Sequence, residues 1–293
     1  LGEAVAELQL LLNHPVIGSR ARDAFRRLGN VAKSSQAAAP LQAAVARMID
    51  SEDPDQIKLG LRTLNSLKPF GLDFAKPRVA ALLVNSDPKI ASVAMWELFA
   101  FGADLDFAKE PLAALIFDGR AAAENDGYRS LYSTLGRVDS PFPDAARQEA
   151  KKRLADIDAL EDDQMIAILA IVWRGNAQTR QEAVDWLFGL NGGQFERALS
   201  AAGMRPDALS SGDAKTRVWT DADIQKILAR LPAIPDDRIV KVVRAIQYQW
   251  AFRPFRTDVQ KALYDRADAL EAGPNPDAKL VRSIEEVARR LNR

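Results

Sequence analysis

The stretch from Arg238 to Lys261 carries the residues whose types and spacing best suit the binding of an anionic group. It contains six basic residues and a single acid, Asp258. On a helix, an apolar stripe that includes Ile239 and Trp250 would face the core, and two cations and two aromatic residues would project from the opposite side. The residues predicted to form this binding surface are Lys241, Arg244, Tyr248, Phe252, Arg253 and Arg256. Aromatic rings beside cations can hold an acidic peptide, a phosphate-bearing ligand or a nucleic-acid strand.

The same stretch also has a structural interpretation. Helices in a repeat array pack on two sides, so Tyr248 and Phe252 would then be buried against the next helix pair. The two interpretations differ in the exposure of these aromatic side chains, and both stay open at this point.

The sequence holds little material for catalysis or metal binding. It has no cysteine, which excludes disulfides, zinc–thiolate sites and thiol nucleophiles. Its one histidine, His14, lies between Asn13 and Pro15, where a turn is expected, so we interpret it as a structural residue. Glycine-rich nucleotide loops, the serine nucleophile elbow and the zinc-binding His-Glu-x-x-His motif are all missing. We therefore predict a protein that is not an enzyme and that uses no cofactor or metal.

One acidic cluster also has two possible roles. Its members are Asp156, Asp158, Glu161, Asp162 and Asp163. Clustered carboxylates could hold calcium, but the glycine and the closing Glu of an EF-hand loop are not at the proper spacing. Acids at the start of a helix also interact favourably with its dipole. We expect the second role, at the N-terminus of a helix that begins near Met165.

Composition limits the partners and the compartment. Forty basic and forty acidic residues cancel, so the chain as a whole does not attract nucleic acid or an anionic membrane. No uncharged apolar run is long enough to span a bilayer. The sequence begins at Leu1, so we expect a processed or trimmed product. The lack of cysteine fits an exported bacterial protein slightly better than a cytosolic one, and the compartment stays open between cytoplasm and periplasm.

Internal repetition is the clearest signal of fold. The segment Leu72–Lys76 recurs as Leu105–Lys109, 33 residues on, and Asp53-Pro54 recurs as Asp87-Pro88, 34 residues on. Such spacing is typical of two-helix repeats that stack into solenoids. Asp can cap a helix and Pro suits its first turn, so each Asp-Pro predicts a helix start.

Weaker copies extend this helical pattern in both directions, and no strand-like alternation appears. We therefore predict an all-α chain, a single α-solenoid of stacked antiparallel helix pairs over residues 1–293. A turn-rich stretch at about 203–219 predicts a soft break between the N-terminal repeats and the C-terminal helices.

The pattern that begins Asp53-Pro54-x-x-Ile57-Lys58 resembles the helix of a HEAT repeat, of the armadillo type, and we expect a bacterial protein of that kind. The resemblance implies a curved scaffold that binds other macromolecules, and the predicted function is a non-enzymatic scaffold that binds a protein partner. One alternative is a HEAT-like protein that binds nucleic acid through the basic and aromatic C-terminal surface. A DNA glycosylase of HEAT-like fold uses Trp, Asp and Arg, and Trp173-Arg174 and Arg217-Val218-Trp219 are the candidates here. Another alternative is a helical module of a larger enzyme or secretion protein.

Overall fold

The computed structural model describes residues 1–119, 127–138, 140–174, 176–204, 209, 219–247 and 250–291. Within these ranges the chain forms sixteen α-helices, joined by turns and short 3-10 helices, and no β-strand. The all-α prediction is confirmed. The chain folds into two compact units, Leu1–Gln148 and Glu149–Arg293, which we call the N-terminal and C-terminal units.

The helices of the N-terminal unit are α1 (Gly2–Leu11), α2 (Gly18–Arg27), α3 (Ser35–Ile49), α4 (Pro54–Leu67), α5 (Lys76–Leu83), α6 (Pro88–Glu97), α7 (Lys109–Phe117) and α8 (Gly127–Leu135). Helix α9 (Asp144–Leu154) contains the point of division. The helices of the C-terminal unit are α10 (Asp162–Trp173), α11 (Ala177–Gly189), α12 (Gly192–Met204), α13 (Asp221–Arg230), α14 (Asp236–Ile246), α15 (Arg256–Glu271) and α16 (Ala278–Arg290).

The predicted soft break does not coincide with the division into units, which falls between Gln148 and Glu149. Most of the stretch 203–219 lies outside the described residues, namely 205–208 and 210–218. The single solenoid over residues 1–293 stays a prediction.

The 33-residue repeat of the N-terminal unit corresponds to repeated structure. Each copy of its Leu-Asp-Phe-Ala-Lys sequence forms a 3-10 turn that leads into a helix, α5 in the first copy and α7 in the second. Asp53 accepts a hydrogen bond from the N–H of Asp55 at 2.9 Å, and Asp87 accepts one from the N–H of Lys89 at 2.8 Å. Both predicted N-caps are confirmed, and they explain why α4 and α6 begin at proline.

Helices of the N-terminal unit pack against their neighbours and against the next helix but one. Helix α4 packs against α3, α2 and α6, and α5 packs against α6 and α7. Lys76, which opens α5, reaches Asp104 of the following turn at 2.6 Å. Lys109, which opens α7, donates to the carbonyl of Pro141 at 2.9 Å. The repeats are therefore joined by side chains as well as by apolar packing.

The C-terminal unit contains a second repeat, with a longer period than the first. Residues 157–163 and 231–237 lie 74 positions apart and share the pattern Ile/Leu-x-Ala-Leu/Ile-x-Asp-Asp. Each copy is a 3-10 turn followed by a helix that begins at the first Asp of the pair, α10 in one copy and α14 in the other. Helices α10 and α14 therefore occupy equivalent places in two copies of one motif.

In each copy of this motif, one arginine from a later helix binds the first Asp of the pair and two carbonyls of the turn, an arrangement that we call the arginine clasp. In the first copy, Arg197 of α12 donates to Asp162 at 2.6 Å, and its guanidinium also donates to the carbonyls of Ile157, at 3.0 Å, and Leu160. The carbonyl of Ile157 also accepts from the N–H of Leu160 at 3.2 Å within the turn, so Arg197 adds a second donor to it.

In the second copy, Arg266 of α15 takes the equivalent role. It donates to Asp236 at 2.6 Å, to the carbonyl of Leu231 at 3.3 Å and to that of Ile234 at 2.6 Å. The same three-point clasp in both copies supports the equivalence of α10 and α14.

Candidate binding cleft

Apart from Asp237 in its first turn, the exposed residues of helix α14 form a basic row. The six apolar residues Ile239, Val240, Val242, Val243, Ala245 and Ile246 are buried. Between them, Arg238, Lys241 and Arg244 are exposed. Residues three apart are neighbours on a helix, so the three cations form one continuous row.

Helix α12 supplies the facing wall because it approaches α14 very closely at one point. A Cβ atom on Gly203 would lie 2.2 Å from the Cα and 2.3 Å from the Cβ of Ala245, so only glycine fits this crossing. Near the other end of the pair, Gly193 faces Arg238, whose Nη1 would lie 3.0 Å from a Cβ there. The two contacts occur in the same order along both helices, so α12 and α14 run in the same direction.

A cleft of about 780 Å³ lies between α12, α14 and the first turn of α10. Its lining residues are Asp162, Gly193, Glu196, Arg197, Ser200, Asp237, Arg238, Lys241, Arg244 and Ala245. The volume is within the range of ligand sites in proteins. All of these residues belong to the C-terminal unit.

Two of the four cations in the cleft are already paired. Arg197 is bound to Asp162, as described above, and Arg238 lies 3.1 Å from Glu196. Glu196 is only 6% exposed, and a buried carboxylate needs such a partner. These pairs leave the two carboxylates little capacity to bind a cationic ligand.

The other two cations are free to bind a ligand. Among the described residues, neither Lys241 nor Arg244 has a side-chain hydrogen bond or an ion pair, and both are exposed to the cleft. On the opposite wall, Ser200 is 8% exposed, and its hydroxyl has no hydrogen-bond partner in the described ranges. The third carboxylate of the lining, Asp237, is 70% exposed and lies 4.0 Å from Arg238. The cleft therefore offers unpaired donors, and its chemistry suits an anion.

Because α10 and α14 are equivalent, α10 shows whether the motif itself requires cations at the positions of Lys241 and Arg244. The alignment of the two copies places Ala167 opposite Lys241 and Ala170 opposite Arg244. Both alanines are fully buried in α10, where every residue from Met165 to Trp173 is buried. The fold of the motif therefore does not require a cation at either position, and the basic row is a property of α14 alone.

The structure separates the six residues predicted from the sequence. Lys241 and Arg244 line the cleft, whereas Arg253 and Arg256 do not. Tyr248 lies outside the described residues. Arg256 donates from Nη2 to the carbonyl of Gln247 at 3.3 Å, which ties it to the local backbone.

The prediction that Phe252 projects from the solvent side of a helix is wrong. Helix α14 ends at Ile246, and Phe252 lies in a 3-10 turn over Trp250–Phe255. Its side chain is fully buried, as the structural interpretation of the stretch expected. The physical reason is that the new turn rotates the ring away from the position that a continuous helix would give it.

Sequence reasoning missed the α12 wall of the cleft, which comprises Gly193, Glu196, Arg197 and Ser200. These residues precede the basic stretch by about forty positions, and none belongs to a known motif. Two signals were present. Small and polar residues recur every three or four positions from Gly193 to Gly203, and the repeat of residues 157–163 at 231–237 marks α12 as the helix between two equivalent ones.

The other candidate sites have structural roles. Asp162 of the acidic cluster lies in the first turn of α10, and Asp158 accepts from Gln194 at 2.8 Å. No group of three or more His, Asp or Glu side chains that could hold a metal occurs among the described residues. His14 accepts from the N–H of Val16 at 3.2 Å within its turn.

The two tryptophans considered for base recognition also have structural roles. Trp173 and Trp219 are both buried and pack edge to face, with ring centroids 5.7 Å apart. The guanidinium of Arg180 lies 5.0 Å from the Trp173 ring. Arg217, the basic residue predicted to act beside Trp219, is outside the described residues. Rings buried in this way do not offer a face to a nucleic-acid base.

Comparison with known proteins gives no indication of function, so the functional argument depends on the cleft. Neither protein-family models nor curated protein sequences match this chain. In the ranges that the structure describes, no helix is both long enough and apolar enough to cross a bilayer.

Proposed function

We propose that this protein is a non-enzymatic helical-repeat scaffold of HEAT-like type, and that it binds an acidic segment of a partner protein in the cleft between α12 and α14. The observation that carries the proposal is the pair of unpaired cations, Lys241 and Arg244, in an otherwise charge-paired cleft. A segment that brings carboxylate or other anionic groups would complete the pairing.

The scaffold part of the proposal rests on the two repeats. Helix pairs that contact their neighbours and the next but one are the arrangement from which solenoids are built. A single compact globule of this length would have a radius of gyration of roughly 19 Å. We expect small-angle X-ray scattering to give a clearly larger value, and a value near that of the globule would refute the solenoid.

Three labelled probes test the proposal that the cleft binds an acidic segment. We would measure fluorescence anisotropy with a labelled peptide of alternating Glu and Gly, its Lys counterpart and a single-stranded DNA oligonucleotide. The double variant Lys241→Glu with Arg244→Glu removes both free cations. The matched control is Lys279→Glu with Arg282→Glu, because these two cations of α16 are also exposed, also lie three residues apart and do not line the cleft.

We expect the acidic peptide to bind the unaltered protein and the control alike. Binding to the cleft variant should fall at least about a hundredfold, since two charge-assisted contacts are lost. Absence of acidic-peptide binding, or an equal loss in both double variants, would refute the proposal. Tight DNA binding that falls steeply with salt and disappears in the cleft variant would replace it with the nucleic-acid alternative.

A further inference from the structure

Three unpaired donors line the cleft, and they lie on two different walls. Lys241 and Arg244 belong to α14, one turn apart, and the hydroxyl of Ser200 belongs to α12. Both cations are exposed to the cleft, whereas Ser200 is 8% exposed and so is reached only from within it. A ligand that satisfies all three must accept hydrogen bonds from both walls of the cleft.

We propose, on the basis of the proposed function, that the group bound between these walls is a phosphoryl group, carried by a phosphorylated serine or threonine of the partner segment. A phosphoryl group at neutral pH carries a charge of about −1.5 to −2 and has three strong acceptor oxygens in a tetrahedral arrangement. One such group has charge enough to pair with both free cations and a third oxygen to accept from the hydroxyl on the facing wall.

A carboxylate fits the same donors less well. It carries one charge, so a single Glu or Asp side chain would leave one of the two cations unpaired. Its two oxygens lie in one plane, which suits the bidentate fork of one arginine better than donors on opposite walls. The cleft already holds two carboxylate–arginine pairs, Asp162 with Arg197 and Glu196 with Arg238. The donors that remain free are a lysine, an arginine and a hydroxyl, all of which bind phosphate.

The charges around the free donors also favour a doubly negative ligand over a positively charged one. Asp162 and Glu196 are held by their arginines, so their repulsion of an incoming phosphoryl group is largely cancelled. Asp237 stands at the rim, with its side chain 70% exposed, where water screens its charge. The inner part of the cleft therefore keeps a net positive charge at Lys241 and Arg244.

Three labelled peptides of one Gly- and Ala-based sequence test the inference, with serine, phosphoserine or glutamate at the central position. On the unaltered protein we expect phosphoserine to bind on the order of tenfold more tightly than glutamate and serine to bind no more tightly than glutamate. Orthophosphate should compete with the phosphoserine peptide. This ranking needs no variant, so it is independent of any effect of substitution on folding.

Three variants then locate the bound group. Lys241→Gln and Arg244→Gln should each weaken the phosphoserine peptide about tenfold, and Ser200→Ala should weaken it by about fivefold while leaving the glutamate peptide nearly unchanged. The control Arg282→Gln should change neither. Circular dichroism and the urea midpoint of each variant establish that it is folded.

The outcomes separate this inference from the function on which it rests. Equal binding of the glutamate and phosphoserine peptides, both weakened by Lys241→Gln, would refute phosphoryl recognition and keep the acidic partner. Phosphoserine binding that all three cleft variants leave unchanged would place the phosphate elsewhere and refute the inference. Failure of both peptides to bind would refute the inference and the proposed function together.

Discussion

The crossing of α12 and α14 at Gly203 gives the sharpest prediction for the architecture of the cleft. In the substitution Gly203→Ala, the new Cβ would lie 2.2 Å from the Cα of Ala245. Carbon atoms that touch are normally about 3.5 to 4.0 Å apart, so the two helices would have to separate by roughly 1.5 Å. Overpacking of this kind costs about 1 to 3 kcal/mol, whereas replacing a helical glycine by alanine contributes up to about 1 kcal/mol of stability.

The net expectation is a loss of about 1 to 2 kcal/mol in the free energy of unfolding. The control Gly189→Ala isolates the helix-propensity part, because a Cβ at Gly189, the last residue of α11, would meet nothing within 4 Å. The control should be unchanged or slightly more stable than the unaltered protein. The difference between the two variants, about 2 kcal/mol, measures the crossing alone.

Urea unfolding followed by tryptophan fluorescence is the appropriate assay. Four of the five tryptophans, Trp173, Trp186, Trp219 and Trp250, belong to the C-terminal unit, so the signal reports mainly on the unit that contains the crossing. The variant should also bind the acidic peptide more weakly, since the walls of the cleft have moved apart. A Gly203→Ala protein that unfolds at the same urea concentration as the control would refute the close approach, and with it the position of the α12 wall.

Three further predictions concern stability elsewhere. Asp53→Ala and Asp87→Ala should each lower the free energy of unfolding by about 1 kcal/mol, because each removes the side-chain cap of a helix. Burial raises the pKa of Glu97 to about 7, so the folded state favours its protonated form, and stability should fall as pH rises from about 4.5 to about 7. Glu97→Gln should remove this fall and, above about pH 7, should be more stable than the unaltered protein by about 2 kcal/mol, after allowance for solvent screening. Arg266→Met should cost about 2 to 3 kcal/mol, because it removes the donor that Asp236 and the carbonyl of Ile234 share.

Urea midpoints measured across this pH range check all three. If both Asp variants unfold at the same urea concentration as the unaltered protein, the two side-chain caps do not contribute to stability. A slope between about pH 4.5 and about pH 7 that persists in Glu97→Gln would assign the titration to another group. The exposed Arg289 is the control for Arg266, and an equal cost for Arg289→Met would show that the clasp contributes nothing specific.

Much of the fold followed from local sequence signals. Asp-Pro pairs predict helix starts because the carboxylate accepts from the first free N–H groups and proline lacks one, and Asp53 and Asp87 bear this out. The 33-residue repeat is visible because it keeps an unusual sequence, Leu-Asp-Phe-Ala-Lys. The 74-residue repeat is hard to recognise from sequence because most of its shared positions are ordinary apolar residues that occur in any helix.

The candidate site was predictable only on one wall. The spacing of Lys241 and Arg244 places them on the polar side of an amphipathic helix, and that step needs no tertiary information. The facing residues Glu196 and Ser200 come from a helix far away in sequence, and their role depends on packing that no local pattern encodes. The predicted position of Phe252 is wrong because it assumes a helix that continues past Ile246, although the nearby Pro254 is unfavourable for continuing it.

The two arginine clasps have a practical consequence for dissecting the molecule into fragments. Arg197 and Arg266 each come later in the chain than the turn they hold, by about thirty to forty residues. A truncation after α14 would keep the turn at 231–234 but discard its donor, and the new C-terminus would fray although every residue of α14 is still present. Deletion series should therefore stop beyond a clasping arginine, after α12 or after α15, if the shortened proteins are to remain folded to their ends.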